Sequence, residues 1–245
     1  MFSPHRWLLA ALLTLLTGCA VSQRMESPPS TFIEDAPLQE HLENMPFDHS
    51  WIVPNSIERN YESVLIMPVR FDLLPKGAWK RSSSIYLDSE EAYLHEAKVL
   101  AGYFTKQLLE ELSKVPNPRF KIVSTPTPST IIVSVALTEI EFSHPVTRAA
   151  ALAAPVPGVD MALNTVTDPH ASFSARFTDS KTGELIASAA DKRFPPIRII
   201  DLNKLTITSS TREIVKQWSR ELADAIQKDR FSKIEKSWRF SLLPW

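Results

Sequence analysis

The chain has 245 residues, long enough for one substantial domain or two small ones. Its 27 lysines and arginines nearly balance 28 aspartates and glutamates, which argues against a nucleic-acid-binding protein because that class usually carries a strongly basic face. The single cysteine excludes an intrachain disulfide bond, although exported proteins often contain one.

The first eighteen residues have the pattern of a secretory signal peptide. A short basic start is followed by an apolar run over residues 7–16, which is shorter than the ~20 residues that span a bilayer. The run ends in Leu16, Thr17, Gly18 and Cys19, which together resemble the lipobox of bacterial lipoproteins. The resemblance implies that Cys19 receives a diacylglyceryl group. A buried cysteine behind an apolar helix is the alternative, but it does not explain the position or the small flanking residues.

The residues after Cys19 predict the membrane in which the lipid is held. Ala20 and Val21 follow it, whereas lipoproteins kept at the inner membrane commonly have aspartate there. By this resemblance we expect an anchor in the outer membrane, with the protein facing the periplasm. No later segment is long and apolar enough to span a bilayer, so anchoring by lipid alone is expected.

A tether and a single domain are predicted behind the anchor. Residues 19–50 contain several prolines and little periodicity, which is typical of an extended segment. The domain is predicted over residues 51–245. Its first strand is the apolar run Val64–Val69.

The clearest predicted element is a helix that begins near residue 88 and ends before Pro116. Asp88 and Ser89 are capping residues, and Glu91 follows three positions after the first of them, as in a capping box. Apolar residues then recur at three- and four-residue spacing and predict one buried face: Tyr93, Ala97, Leu100, Phe104, Leu108 and Leu112.

Strands are predicted next in the chain. Residues 120–124 form a short apolar segment, and residues 131–138 alternate as a half-buried strand does. Residues 171–178 and 185–189 flank a turn that contains Gly183, which can adopt positive φ. This pair predicts a β-hairpin.

A second helix is predicted from Ser210, with Glu213 completing another capping box. Its apolar stripe consists of Ile214, Val215, Trp218, Leu222 and Ile226. The order of elements predicts an α+β fold, a two-layer sandwich in which a mostly antiparallel sheet carries two amphipathic helices on one face.

Motifs spread along the chain resemble the DUF3313 family of bacterial lipoproteins, a family defined by a domain of unknown function. An early segment, Phe32 to Leu38, resembles a family element, although Ala36 replaces its aromatic residue. Further matching segments are Trp51 to Pro54, Tyr61 to Val69, and the hairpin Thr178 to Arg193, which closes with Asp191-Lys192-Arg193. The resemblance implies location and architecture, but no reaction.

Two segments are candidate interaction surfaces. Residues 148–164 are rich in alanine and proline, and Leu152 and Val156 there are candidates to contact lipid or a partner. A buried connection against the sheet edge is the alternative. In the C-terminal tail, basic residues alternate with Trp238, Phe240 and Trp245, a composition typical of contact with anionic headgroups or peptidoglycan. An edge strand or a tail folded over the sheet is the alternative.

Sequence motifs for catalysis are absent. The chain has no Gly-x-Ser-x-Gly, no phosphate-binding glycine loop and no His-Glu-x-x-His, and its six histidines lack metal-ligand spacing. We therefore predict no catalytic residue, cofactor or metal. The expected function is a non-catalytic envelope binding, assembly or transport-accessory module with an envelope protein or lipid partner. The alternative is a hydrolase of envelope glycans or lipids that uses Glu139, Glu141 and Asp179.

Overall fold

The computed structural model describes residues 31–33, 44–53, 60–80, 87–142, 169–195, 208–227 and 233–236. These ranges form a six-stranded sheet and two long helices. The strands are β1 His49–Ile52, β2 Ser63–Ile66, β3 Lys121–Ile122, β4 Thr130–Glu141, β5 His170–Asp179 and β6 Leu185–Arg193. The helices are α1 Glu90–Lys114 and α2 Ser209–Gln227, and short 3₁₀ turns occupy Thr31–Ile33 and Ala78–Lys80.

Helix α1 agrees with its prediction in extent and in its buried face. The cap is Ser89, whose side chain accepts a hydrogen bond from the Ala92 amide at 3.2 Å, so the predicted Asp88–Glu91 capping box does not form. The helix ends at Lys114, before Pro116. All six residues of the predicted stripe are buried.

Helix α2 also buries its predicted stripe, from Ile214 to Ile226. The predicted capping box at its start is wrong. The helix already includes Ser209, and the Arg212 amide donates to the Thr208 carbonyl at 2.9 Å. Ser210 therefore lies inside the first turn, where its hydroxyl is buried and has no hydrogen-bond partner among the described residues.

The sheet has the order β1-β6-β5-β4-β2-β3 and is mixed. Strands β1, β6, β5 and β4 pair antiparallel, whereas β2 pairs parallel with both β4 and β3. The predicted hairpin is β5–β6, and Gly183 in its turn has φ +75°. The remaining strands differ from prediction mainly in length: β4 is longer, β2 and β3 are shorter, and β1 was not predicted.

The core lies between the sheet and the two helices. The two helices also pack on each other. Phe173 of β5 contacts aromatic rings from both, since its centroid lies 6.1 Å from Phe104 of α1 and 4.8 Å from Trp218 of α2. We call the sheet face that carries Phe173 the inner face. The predicted α+β class is confirmed.

Residues assigned to the tether contribute to this core. Met45 and Phe47 are buried, and the ring centroid of Phe47 lies 5.7 Å from that of Phe173. Phe32 is also buried, but on the other face of the sheet, where its 3₁₀ turn packs against β5. The domain therefore includes segments upstream of residue 51, because burial of apolar side chains from this proline-containing region stabilises the fold.

Candidate functional site

The last residues of β6 and helix α2 together bury a group of charged side chains. Asp191 is fully buried: its Oδ2 accepts a hydrogen bond from Trp218 Nε1 at 2.7 Å and pairs with Arg193. Arg193 also donates to both carboxylate oxygens of Glu221 and to the Pro46 carbonyl. This arrangement explains the Asp-x-Arg motif, because residues two apart on a strand point to the same face.

The group extends to two segments far apart in sequence. Asp191 Oδ1 accepts from the Asp48 amide at 3.1 Å and from Lys236 Nζ at 3.0 Å. Lys236 also donates to Asp48 Oδ1, and the Lys192 amide donates to Asp48 Oδ2, each at 3.1 Å. We call Asp48, Asp191, Arg193, Glu221 and Lys236 the charge network. It connects β6 and α2 to the two segments that contain Asp48 and Lys236.

Two neighbouring carboxyl groups in the charge network have pKa values displaced in opposite directions. Burial raises the pKa of Asp191, against the influence of Arg193 and Lys236. Burial alone would also raise the pKa of Asp48, but Lys236 and the Lys192 amide lower it overall. Such a pair is typical of acid–base sites. Here, however, all four oxygens accept internal donors and Asp191 has no exposed surface, so the pair is suited to holding segments together.

The carboxylates considered for hydrolysis are separated and internally bonded. Glu139 pairs with His170 at 3.3 Å and Lys192 at 2.7 Å, and the His170 hydrogen bond is the main reason its pKa falls to about 2. Asp179 accepts the Lys181 and Thr182 amides in the hairpin turn, and its pKa is lowered, chiefly by the Thr182 amide. Glu141 is 1% exposed.

The spacing of these carboxylates can be read from the sheet register. Glu139 is opposite Ser172 on β5, and Asp179 lies seven residues farther along that strand. At ~3.3 Å per residue, the two carboxylates are roughly 23 Å apart. A glycosidase requires a separation of about 5–10 Å, so this pair does not have hydrolase geometry.

An apolar pocket of about 140 Å³ opens between the inner face and the C-terminal end of α2. Its floor consists of inner-face residues from five strands: Ile52, Val64, Val133, Phe177, Ala187 and Ala189. Met45 and Phe47 enclose it on one side, and Ala225 and Ile226 of α2 on another. The pocket therefore depends on five of the six described strands and on α2, whereas no residue of α1 is in its lining.

We call the part of the pocket lined by Arg119 and Phe120 its mouth. A side chain at the C-terminal end of α2 forms hydrogen bonds that hold Phe120 there. Gln227 Oε1 accepts from the Phe120 amide at 2.9 Å, and its Nε2 donates to the Phe120 carbonyl at 3.0 Å. Phe120 lines the pocket, and the exposed guanidinium of Arg119 lies 4.9 Å from its ring centroid. Arg119 is the one charged residue among the described residues that line the pocket.

The opposite, outer face of the sheet holds Phe32. The guanidinium groups of Arg70 and Arg176 lie 5.6 and 5.8 Å from its ring centroid, which is cation–π distance. This contact fixes the early motif segment to β5 and to the segment after β2. The phenylalanine of that motif therefore has a packing role in the domain.

A family model described as "Protein of unknown function (DUF3313)" matches residues 28–222. The chain belongs to the DUF3313 family. Its match begins upstream of Phe32 and includes β1, the hairpin and most of α2. The DUF3313 segments quoted from sequence therefore lie in three places: Phe32 on the outer face, Trp51 at the pocket, and Asp191 with Arg193 in the charge network.

Solved structures resemble the chain only distantly. The PelC dodecamer from Paraburkholderia phytofirmans is 10% identical, with 71% of this chain and 95% of that chain covered and a TM-score of 0.36. The hypothetical protein CT253 from Chlamydia trachomatis is 11% identical, with 67% and 94% covered and a TM-score of 0.34. A comparison with curated proteins finds no match.

The residues singled out from sequence in the DUF3313 chain lie largely outside the described ranges. These residues are Leu16, Thr17, Gly18, Cys19, Leu152, Val156, Trp238, Phe240 and Trp245. Within the described ranges, no group of three potential metal ligands occurs. None of the helices described is long and apolar enough to cross a membrane.

Sequence reasoning predicted several elements that line the pocket but missed the pocket itself. Arg119 and Gln227 belong to no pattern: Arg119 precedes Phe120 in the chain, and Gln227 becomes a neighbour of Phe120 because α2 packs beside the segment before β3. One signal was present: Ala187 and Ala189 are small residues on the inner side of β6, and small side chains leave space beneath a helix.

Proposed function

We propose that the protein is a lipoprotein anchored in the outer membrane that faces the periplasm and works as a non-catalytic binding module for an envelope lipid or protein. The anchoring part of the proposal rests on the segment Leu16 to Cys19, which resembles a lipobox. The binding part rests on one structural observation, the apolar pocket of about 140 Å³ with a single cationic side chain at its mouth. Pockets that are mostly apolar with few polar groups are typical binding sites.

The contacts of the carboxylates favour binding over hydrolysis. Glu139 and Asp179 have lowered pKa values and are ionised at neutral pH, so neither is suited to protonate a leaving group. Asp191, the carboxyl group with a raised pKa, is enclosed by donors and has no exposed surface. The pocket lining contains no carboxylate among the described residues.

The anchor is tested by comparing the wild-type chain with Cys19→Ala in a Gram-negative host. Metabolic labelling with radioactive palmitate, followed by separation of inner and outer membranes, measures lipidation and location together. We expect labelled wild-type protein in the outer membrane and unlabelled Cys19→Ala protein. Ser22→Ala, a small change outside the lipobox, is the matched control and should behave as wild type.

The binding function is tested by in-cell photo-cross-linking. A photoreactive phenylalanine replaces Trp51, an aromatic residue of the pocket lining, and, as the matched control, the exposed Arg220, two turns before Gln227 on α2. We expect an adduct with one defined lipid or protein from position 51 that is absent from position 220 and is lost in Cys19→Ala. Palmitate label that persists without Cys19 contradicts the anchor, and equal adducts from both positions contradict the binding site.

A further inference from the structure

The apolar pocket has the size, lining and charge of a site for one acyl chain that ends in a carboxylate. We propose that it binds a medium-chain fatty acid, with the hydrocarbon end among Val133, Phe177 and Ala189 and the carboxylate at Arg119. The proposal deepens the proposed function by naming the ligand class of the same site.

The volume limits the ligand to about six buried carbons. A dry cavity of ~150 Å³ lined by aliphatic and aromatic side chains holds one benzene molecule, which has six carbons. The pocket here is about 140 Å³ and is lined largely by residues of the same kind. Arg119 in the lining is exposed, so a chain of about eight carbons can place its head group in solvent there while its tail stays enclosed.

The charge at the mouth selects the head group. Arg119 forms no ion pair with any residue that the structure describes, and the ring of Phe120 beneath it holds the guanidinium at the rim. An arginine side chain binds a carboxylate with two parallel hydrogen bonds. Arg119 is the one charged residue in the lining among the residues that the structure describes. A singly charged carboxylate matches this single cation, whereas a phosphate carries up to two negative charges.

The proposal is tested by titrating the full chain carrying Cys19→Ala with sodium octanoate below its micelle concentration, followed by amide NMR shifts. We expect saturable shifts at pocket residues such as Ala187 and Ala189. Affinity should rise about fourfold per methylene from butanoate to octanoate, as expected for ~0.8 kcal/mol per buried CH₂, and then level off. A rise that continues unchanged to dodecanoate overturns the proposed pocket depth.

Two variants separate the parts of the site. Ala225→Leu places a larger side chain in the pocket and should abolish binding of octanoate and of octanol. Arg119→Gln should weaken octanoate several-fold and leave octanol unchanged, whereas the exposed Arg220→Gln should change neither. Circular dichroism melting confirms that each variant is folded. Retained octanoate binding by Ala225→Leu, or equal loss of octanol and octanoate in Arg119→Gln, overturns the proposal.

Alternative occupants appear as distinct outcomes. Tighter binding of octyl phosphate than of octanoate overturns the carboxylate assignment. Binding that appears only after removal of residues 237–245 shows that the chain's own C-terminal segment occupies the pocket, and this also overturns the proposal for the full chain. Palmitate labelling at Cys19 is measured independently, so a failure of octanoate to bind leaves the anchor of the proposed function standing.

Discussion

The inner face of the sheet has two halves built from the same elements but with opposite chemistry. On β6, Ala187 and Ala189 line the apolar pocket, and Asp191 and Arg193, one step farther on the same face, form the charge network. On α2, residues 225–226 face the pocket, while Glu221 and Trp218, one and two turns earlier, contact the network. The composition of the inner face therefore changes completely within about 7 Å along one strand.

The difference separates structure from function. In the charge network each carboxylate oxygen of Asp48 and Asp191 accepts a donor, and the side chains of Asp191 and Arg193 are at most 3% exposed. A group whose polar atoms all have hydrogen-bond partners within the protein is not available to bind a ligand. The pocket differs in both respects. It is open space within the fold, and the one charged residue in its described lining, Arg119, is exposed. We therefore assign a structural role to the first half, and the second half is the one for which we propose binding.

The largest effect is expected from breaking the charge network at Arg193. Arg193→Met leaves Asp191 and Glu221 buried without their main cationic partner, and this should lower the free energy of unfolding by about 3–5 kcal/mol. Urea unfolding followed by circular dichroism measures the change. Arg220→Met, which changes an exposed arginine next to Glu221 on α2, should stay within about 0.5 kcal/mol of wild type. A loss below about 1 kcal/mol for Arg193→Met would contradict a structural role for the network.

A smaller, pH-dependent effect is expected at Glu139, which extends the charged half to the outer face through Lys192. Its pKa is about 2 in the fold against an ordinary 4.5, so its stabilisation is complete above pH 4.5 and is lost as the pH falls toward 2. The contribution is at most about 3 kcal/mol. Urea unfolding of Glu139→Gln between pH 2 and 7 should show a flatter stability profile than wild type. The exposed Glu62→Gln should keep the wild-type profile, and an identical profile in both variants would rule out this ion pair as the cause.

A still smaller effect is expected at the mouth of the pocket. Gln227→Ala leaves the buried amide and the carbonyl of Phe120 without their partner and should cost about 2 kcal/mol in urea unfolding. Gln107→Ala on α1 is the matched control: Gln107 bonds only Glu110 on its own helix, so its loss should cost less than about 0.5 kcal/mol. Equal losses in the two variants would mean that Gln227 does not hold the mouth.

Periodicity was sufficient to predict the helices and the hairpin. The stripe from Tyr93 to Leu112 and the stripe from Ile214 to Ile226 are buried as predicted, because a 3.6-residue repeat allows one face to meet a core. The Asp-x-Arg motif was found as a family element, but its meaning was not visible in sequence. Asp191 acquires its partners from residues 48, 218 and 236, which only the folded chain brings together.

The capping residues and the start of the domain were predicted less well. At α1 both Asp88 and Ser89 can cap, and backbone geometry selects the second. Upstream of β1, prolines indicated an extended tether, but Met45 and Phe47 are apolar side chains that a core can take up. The pocket could not be predicted from the sequence. A cavity forms where side chains from different elements do not fill the space between them, and only the folded chain determines where that is.

The smallest effect is expected for Ala225→Leu in the pocket, and it is compared with the same substitution at Ala223 in the packed core. Ala223 is 2% exposed and packed in the core, whereas Ala225, two residues later, lines the pocket. Ala223→Leu should lower the free energy of unfolding by about 1–3 kcal/mol, because a filled core cannot accept three more carbons without strain. Ala225→Leu should change it by less than about 1 kcal/mol, because its side chain enters open space. Thermal and urea unfolding of both variants measure the difference. Equal destabilisation would mean that the pocket is as closely packed as the rest of the core, and the binding assignment would lose its structural basis.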